Sequence, residues 1–170
     1  GTQRKLVHRD VSPHNVRLDL NGSIRLTDFG VARTAIQDHE SRVGTVRGKP
    51  SYMAPEQVMG GALDSRTDIF ALGIVLYECS CLRRLFGRNN PVKSMDAVLK
   101  HNPKPLAELV PNFPAELAAV IKKALAKDAK DRFQSPREFN EALRQATAGL
   151  EGIEGADREL VGLIDENFDD

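Results

Sequence analysis

The chain has 170 residues, 41% of them hydrophobic, with 24 basic and 24 acidic side chains. That length supports one sizeable core and little more, and no nucleic acid is expected as a partner. The longest apolar stretch, Ile69 to Leu82, is too short to span a bilayer and carries Glu78. The balance of charge is uneven along the chain. Residues 149–170 hold eight acids against Arg158 alone, which leaves 23 bases and 16 acids on residues 1–148. A body of +7 favours acidic or phosphate-rich partners, or is an ordinary solvated surface.

In chain order, the first feature is His8-Arg9-Asp10-Val11-Ser12-Pro13-His14-Asn15, a Pro-containing loop with a carboxylate and an amide five residues apart. Val16, Leu18 and Leu20 then alternate with polar residues, as do Ile24 and Leu26 after Asn21-Gly22. This pattern predicts a β-hairpin with a type I′ turn. Asn15 stands at its entrance and Asp28, of Asp28-Phe29-Gly30, at its exit, so antiparallel pairing brings the two together. Residues 31–56 contain Gly44, Gly48, Pro50 and Pro55 without periodicity and read as a long loop ending in Ala54-Pro55-Glu56.

Ser65-Arg66-Thr67-Asp68 resembles a capping box opening a helix from about Arg66 to Ser80. That helix is apolar nearly all round, so it is expected to be buried on every side. Cys79 and Cys81 fall within it and read as buried, reduced structural thiols, because no Cys or His cluster completes a metal set. Weaker helices are expected at Lys93 to Lys100, around Leu117 to Leu125, and after the N-cap Ser135 with Pro136 in the first turn. Beyond Gly149 the composition shifts to a short acidic amphipathic segment, a linker or docking tail. The chain opens at Gly1 with a motif inside its first ten residues, so it reads as a piece of something longer.

Asp10, Asn15 and Asp28 together offer two hard oxygen ligands and a proton acceptor, as a magnesium-assisted phosphoryl transfer requires. Singly, such residues are more often loop, turn or cap residues. In order and spacing, the three strings His8-Arg9-Asp10, Asp28-Phe29-Gly30 and Ala54-Pro55-Glu56 resemble the C-terminal lobe of a bacterial (Hanks-type) serine/threonine protein kinase. The resemblance covers residues 1–148 and leaves 149–170 as the tail. It implies an α+β, mostly helical fold in which a helical bundle carries a small β-hairpin, with the N-terminal lobe absent.

The same resemblance implies ATP and Mg2+ as cofactors, with Asp10 as base and Asn15 and Asp28 holding the metal. It implies a protein substrate with a Ser or Thr hydroxyl, a missing N-terminal lobe as partner, and a homodimer for trans-autophosphorylation. It assigns Thr45 the place of the activation-loop phosphosite, ahead of Ser41 and Thr34, with Arg9 as the partner of the phosphate. His8, Phe29, Gly30 and Asp68 take architectural places, and Glu56 and Arg132 those of an ion pair. The expected location is cytoplasmic, with any membrane anchor lying outside this segment.

Three features depart from the pattern. No Gly-rich loop, strand lysine or helix glutamate precedes the motif, so this polypeptide alone is not expected to be a competent kinase. Ser12 stands where the family usually has Lys, and Lys49 where it usually has Thr, at positions facing each other across the substrate cleft. We read this as a reciprocal exchange in which Lys49 stabilises the transferring phosphate, against the plainer reading of a solvated loop lysine. Arg17 replaces the aliphatic floor usual under adenine, and stacking on the base, turning toward Asp19 and obstructing the site all stay open for it. The readings from different classes are therefore an active kinase and a pseudokinase or kinase-like protein-binding module.

Overall fold

The structure is a computed structural model that describes residues 7–29 and 49–150. Two short strands, β1 (Val16–Leu18) and β2 (Ile24–Leu26), pair antiparallel with Val16 opposite Leu26 and Leu18 opposite Ile24. Helices follow: α1 (Pro55–Val58), α2 (Ser65–Cys81), α3 (Pro91–Lys100), α4 (Leu106–Leu109), α5 (Ala115–Ala124) and α6 (Pro136–Thr147). Single 3-10 turns lie at Pro13–Asn15, Pro50–Tyr52 and Ala129–Asp131. The fold is α+β and mostly helical, with one two-stranded sheet among the described residues.

The hairpin forms where the alternation places it, but its turn is not type I′. Gly22 N–H donates to Asp19 O and Asp19 N–H to Ser23 O, both at 2.9 Å, and only Gly22 has positive φ (78°) in the turn. A type I′ turn needs positive φ at both central residues. Here a type I turn is followed by a left-handed glycine, because Asn21 spends its side chain accepting from Ser23 N–H.

Helix α2 is the axis of the domain. It buries Ile69, Phe70, Ala71, Gly73, Ile74 and Tyr77, with α5 and α6 packed beside it and α4 against it. One core unites Phe70, Ile74, Tyr77, Phe86, Val98, Leu106 and Ile121; a second joins Ile69, Ala124, Phe133 and Phe139. Each such buried side chain contributes about 1.5–3 kcal/mol through burial. Gly73 sets the α2–α5 approach, since a Cβ there would lie 3.0 Å from Ala124 Cβ and 3.3 Å from Leu125 Cδ2.

Two expectations for α2 are corrected. Its N-cap is Asp64, whose carboxylate accepts from Arg66 N–H, and Asp68 is not part of a capping box because it is occupied elsewhere. Cys79 is exposed and Cys81 only half-buried, because the last turn of the helix leaves the core. At the chain's other end, Ser135 caps α6 as its sequence suggests, accepting from Glu138 N–H at 3.1 Å.

Candidate functional site

The loop between Val7 and the hairpin buries Val11 and is otherwise folded by hydrogen bonds. Pro13 starts a 3-10 turn with its φ already set, and Asn15 N–H closes it on Ser12 O at 2.9 Å. The turn aims the buried Asn15 amide back at Asp10, where Nδ2 donates to the backbone O at 2.7 Å and to Oδ2 at 2.9 Å. The strand pairing then continues one step past β2, with Thr27 N–H and Oγ1–H both donating to Asn15 O at 2.8 and 3.2 Å. Thr27, the residue before Asp28, is thereby paired with Asn15, twelve positions away in sequence.

His8 joins both arms of the loop. Its buried ring donates from Nε2 to Thr27 O at 2.8 Å and accepts at Nδ1 from Asp10 N–H at 3.3 Å, an arrangement that fits the neutral ring. Phe29 meets that ring edge-on at 4.5 Å but remains 54% exposed. Two residues here have left-handed backbones without being glycine: Arg9 (φ 70°) and Asp28 (φ 64°). Such conformations cost about 1 kcal/mol or more and persist where surrounding contacts impose them.

Those contacts come from the helical body. Asp68, in the first turn of α2, accepts from His8 N–H and Arg9 N–H, each at 2.8 Å. Burial raises the Asp68 carboxyl above its ordinary range, while the two N–H donors partly offset the rise. Gln57 is the second anchor, since its carbonyl accepts from Ala54 N–H and its Nε2 donates to Arg9 O, both at 2.9 Å. Sequence reasoning missed Gln57. The polar residue three positions into a helix was a readable signal, but Ala54 lacks the hydroxyl that usually marks a capping box.

Lys49 begins the other wall, and Tyr52 N–H donates to its carbonyl at 2.8 Å. Its ammonium is pushed below the usual lysine range, first by burial and then by Arg84, with the Asp10 carboxylate pulling the other way. Lys49 thus stands within the electrostatic reach of Asp10, and Ser12 is fully buried. Buried Tyr52 donates its phenol O–H to Glu78 Oε2 at 2.6 Å, and Arg84 Nη1 donates to the same phenol oxygen. Burial first, then the Glu78 bond, raises the phenol above its ordinary range.

Glu56 and Arg132 form a two-pronged ion pair with Nη1–Oε1 at 2.8 Å and Nη2–Oε2 at 2.9 Å, across 76 residues. Arg132 is fully buried and also donates to the carbonyls of Ala126, Arg66 and Lys127. Burial alone would raise the Glu56 carboxyl, but Arg132 and Thr67 hold it below the ordinary range. Arg17 is exposed on the hairpin opposite Arg25, and Asp19 is paired with Arg25 at 2.7 Å. The open alternative of Arg17 turning to Asp19 is thus not the arrangement seen. Gly30, Thr34, Ser41 and Thr45 lie outside the described residues.

No cluster of three or more His, Cys, Asp or Glu side chains suits a metal among the described residues. The strand pairing leaves one amide oxygen and one carboxylate, those of Asn15 and Asp28, at the two ends of the hairpin. Hard oxygen atoms of this kind fit a magnesium ion that takes its remaining ligands from phosphate and water. Among the described residues no helix is long and apolar enough to cross a membrane.

The chain matches the protein kinase domain family over residues 2–145. It is 42% identical over 143 residues to the tyrosine-protein kinase MasK of Myxococcus xanthus, covering 84% of this chain and 22% of that protein. It is 34% identical over 149 residues to the serine/threonine-protein kinase PknB of Mycobacterium leprae, covering 86% of this chain and 24% of the relative. Against the serine/threonine-protein kinase PrkC of Bacillus subtilis the identity is 33% over 144 residues, 85% of this chain and 22% of the relative. The chain therefore spans less than a quarter of the length of these relatives. With the match running over most of its residues, and with bacterial serine/threonine kinases among its relatives, the chain belongs to the protein kinase family, as a C-terminal portion of the kinase domain.

Proposed function

We propose that this chain is the C-terminal lobe of a protein serine/threonine kinase, in which Asp10 orients a substrate hydroxyl and accepts its proton. The observation that carries the reading is the Asn15 amide, which donates to Asp10 while Asn15 O pairs with Thr27, the residue before Asp28. A hydroxyl is a poor nucleophile, and a fixed carboxylate raises its rate by about 10²–10⁴-fold. Asn15 and Asp28 would hold Mg2+, which supplies charge neutralisation on the phosphates of ATP when bound. Lys49 adds a second cation on the acceptor side, in the role usually held at position 12, and Arg9 receives a phosphate placed on Thr45. In this reading residues 1–148 are the partial catalytic domain and 149–170 an acidic tail.

The hairpin supports the partial-domain reading. Leu20 and Ile24 are 75% and 69% exposed, and Leu18 and Phe29 are also open, an apolar surface left for a further part of the domain to cover. The MasK relative carries a tyrosine-kinase name, whereas this chain keeps Pro13 in the loop after Asp10, the feature that resembles serine/threonine kinases. Arg17, exposed on the face where adenine would lie, favours the second reading of a pseudokinase that works by binding.

One experiment separates them: phosphoryl transfer from labelled ATP by the protein extended to both lobes, with phosphosites mapped. Label on Thr45 or Ser41 and on a protein substrate is expected, and Asp10→Asn should remove it by at least about 10²-fold. Lys49→Ala should cut kcat far more than it weakens ATP binding; an unchanged kcat would reduce Lys49 to a solvated lysine. No label from the folded two-lobe protein would overturn the kinase reading in favour of the pseudokinase. Label only on tyrosine would overturn its acceptor class.

A further inference from the structure

Glu78 lies near the end of α2, largely buried, and is already satisfied by neutral donors. Tyr52 O–H reaches its Oε2 at 2.6 Å and Leu85 N–H its Oε1 at 2.8 Å. Arg84 contributes only a loose ion pair, Nη1 to Oε2 at 3.4 Å, and its side chain remains 61% exposed. The guanidinium is steered rather than consumed: Nη1 binds the Tyr52 hydroxyl, and the group lies 5.9 Å from the centre of the Tyr52 ring. A guanidinium carries five N–H donors in a planar fork, and one nitrogen serves both of these contacts. The rest of the fork is left on the solvent side.

This fork stands at the acceptor side of the site. Tyr52 closes its 3-10 turn on Lys49 O, and Gln57 ties the same stretch to Arg9, the neighbour of Asp10. The surrounding chain reinforces the charge. Residues 82–90 hold Arg83, Arg84 and Arg88 and no acid. Arg88 then lines an open cavity of about 460 Å³ with Lys93, Lys100 and His101, where Asp96 is the lone acid and is paired with Lys100.

We propose that Arg84 is a specificity-determining residue that, with Lys49, selects acceptor segments carrying an Asp or Glu beside the hydroxyl. The proposal rests on the kinase reading for the acceptor and on the Tyr52–Glu78–Arg84 arrangement for the selectivity. A carboxylate meets the free edge of the fork through charge-assisted hydrogen bonds, while a basic segment meets Arg84, Lys49 and Arg88 with repulsion.

The test uses the two-lobe protein and three peptides that share one serine acceptor, flanked by Glu, by Gln or by Lys. Both kcat/KM and direct binding by fluorescence anisotropy are measured. The Glu peptide should exceed the Gln peptide by about tenfold, mostly in KM and in binding, since one such contact is worth about that much. Arg84→Gln should bring the ratio to within about twofold, Arg84→Lys should keep part of it, and Arg84→Glu should turn the preference to the Lys peptide. A merely structural Arg84 would lower all three peptides together and leave their order alone. A Glu/Gln ratio near one in the parent protein, or a ratio that survives both Arg84→Gln and Arg84→Glu, overturns the proposal. If no peptide is phosphorylated the kinase reading falls, and the binding series still decides Arg84: a Glu preference lost in Arg84→Gln upholds it, and equal binding overturns it.

Discussion

The hairpin with its loop and the helical body around α2 are held together by different physics. The body excludes water: Phe70, Ile74, Phe86, Val98 and Ile121 are fully buried, and its one deeply buried charge, Arg132, has a carboxylate and three carbonyls as partners. The loop buries Val11 as its apolar contribution and otherwise polar groups, His8, Ser12 and Asn15. It depends on directed hydrogen bonds to Asp68 and Gln57, and its hairpin leaves Leu18, Leu20 and Ile24 in the open. The lesson is a division of labour. Burial holds the body, and two polar side chains, Asp68 and Gln57, tie the loop to it.

Breaking the body should therefore cost folding, and breaking the link should cost chemistry. The largest effect is expected from Glu56→Ala, which strands the buried Arg132 guanidinium. Loss of one partner from a buried pair costs about 3–5 kcal/mol, a large share of a domain's total stability. Urea unfolding of the two-lobe protein should show it, and a loss under about 1 kcal/mol would mean that solvent reaches Arg132 freely.

Asp68→Ala sharpens the contrast. It removes two acceptors from the loop and should lower stability by about 1–3 kcal/mol, while phosphoryl transfer falls by on the order of 10²-fold through misplacement of Asp10. Transfer that merely tracked the fraction folded would make Asp68 a stability residue and dissolve the division.

The smallest effect is a pH dependence inside the body. Burial, and then Arg132, push the Lys127 ammonium down to about 8, while its Nζ donates to Val98 O and lies over Phe86 at 4.5 Å. The unfolded chain keeps this proton up to its ordinary lysine range, so the folded state releases it first. Stability should rise with pH from about 8 to about 9.5, before tyrosine ionisation in the unfolded chain opposes it. For a half-buried group facing solvent the gain is held to about 1 kcal/mol. Lys127→Met should flatten that slope in thermal melts taken across the same range, and an unaltered slope would assign it to other groups.

What the sequence determined by itself was whatever depends on neighbours along the chain. Alternation around Asn21-Gly22 predicts the hairpin, the all-round apolar stretch predicts α2, and Ser135-Pro136 predicts the start of α6, because local periodicity and caps need no distant partner. The order of His8-Arg9-Asp10, Asp28-Phe29-Gly30 and Ala54-Pro55-Glu56 pointed to the family for the same reason. The tertiary structure decided the rest. The resemblance implied that Asp68 accepts N–H bonds from the loop, the residues alone left it equally able to serve its own helix start, and the His8 and Arg9 N–H groups sixty residues away decide between them. Gln57 had a local signal only for its helix-start bond to Ala54, and its bond to Arg9, like the place of Arg84 beside Tyr52, shows only when the distant partner is in position. Cys79 was misread as buried because composition reports a helix's average hydrophobicity, whereas burial depends on which turn leaves the core.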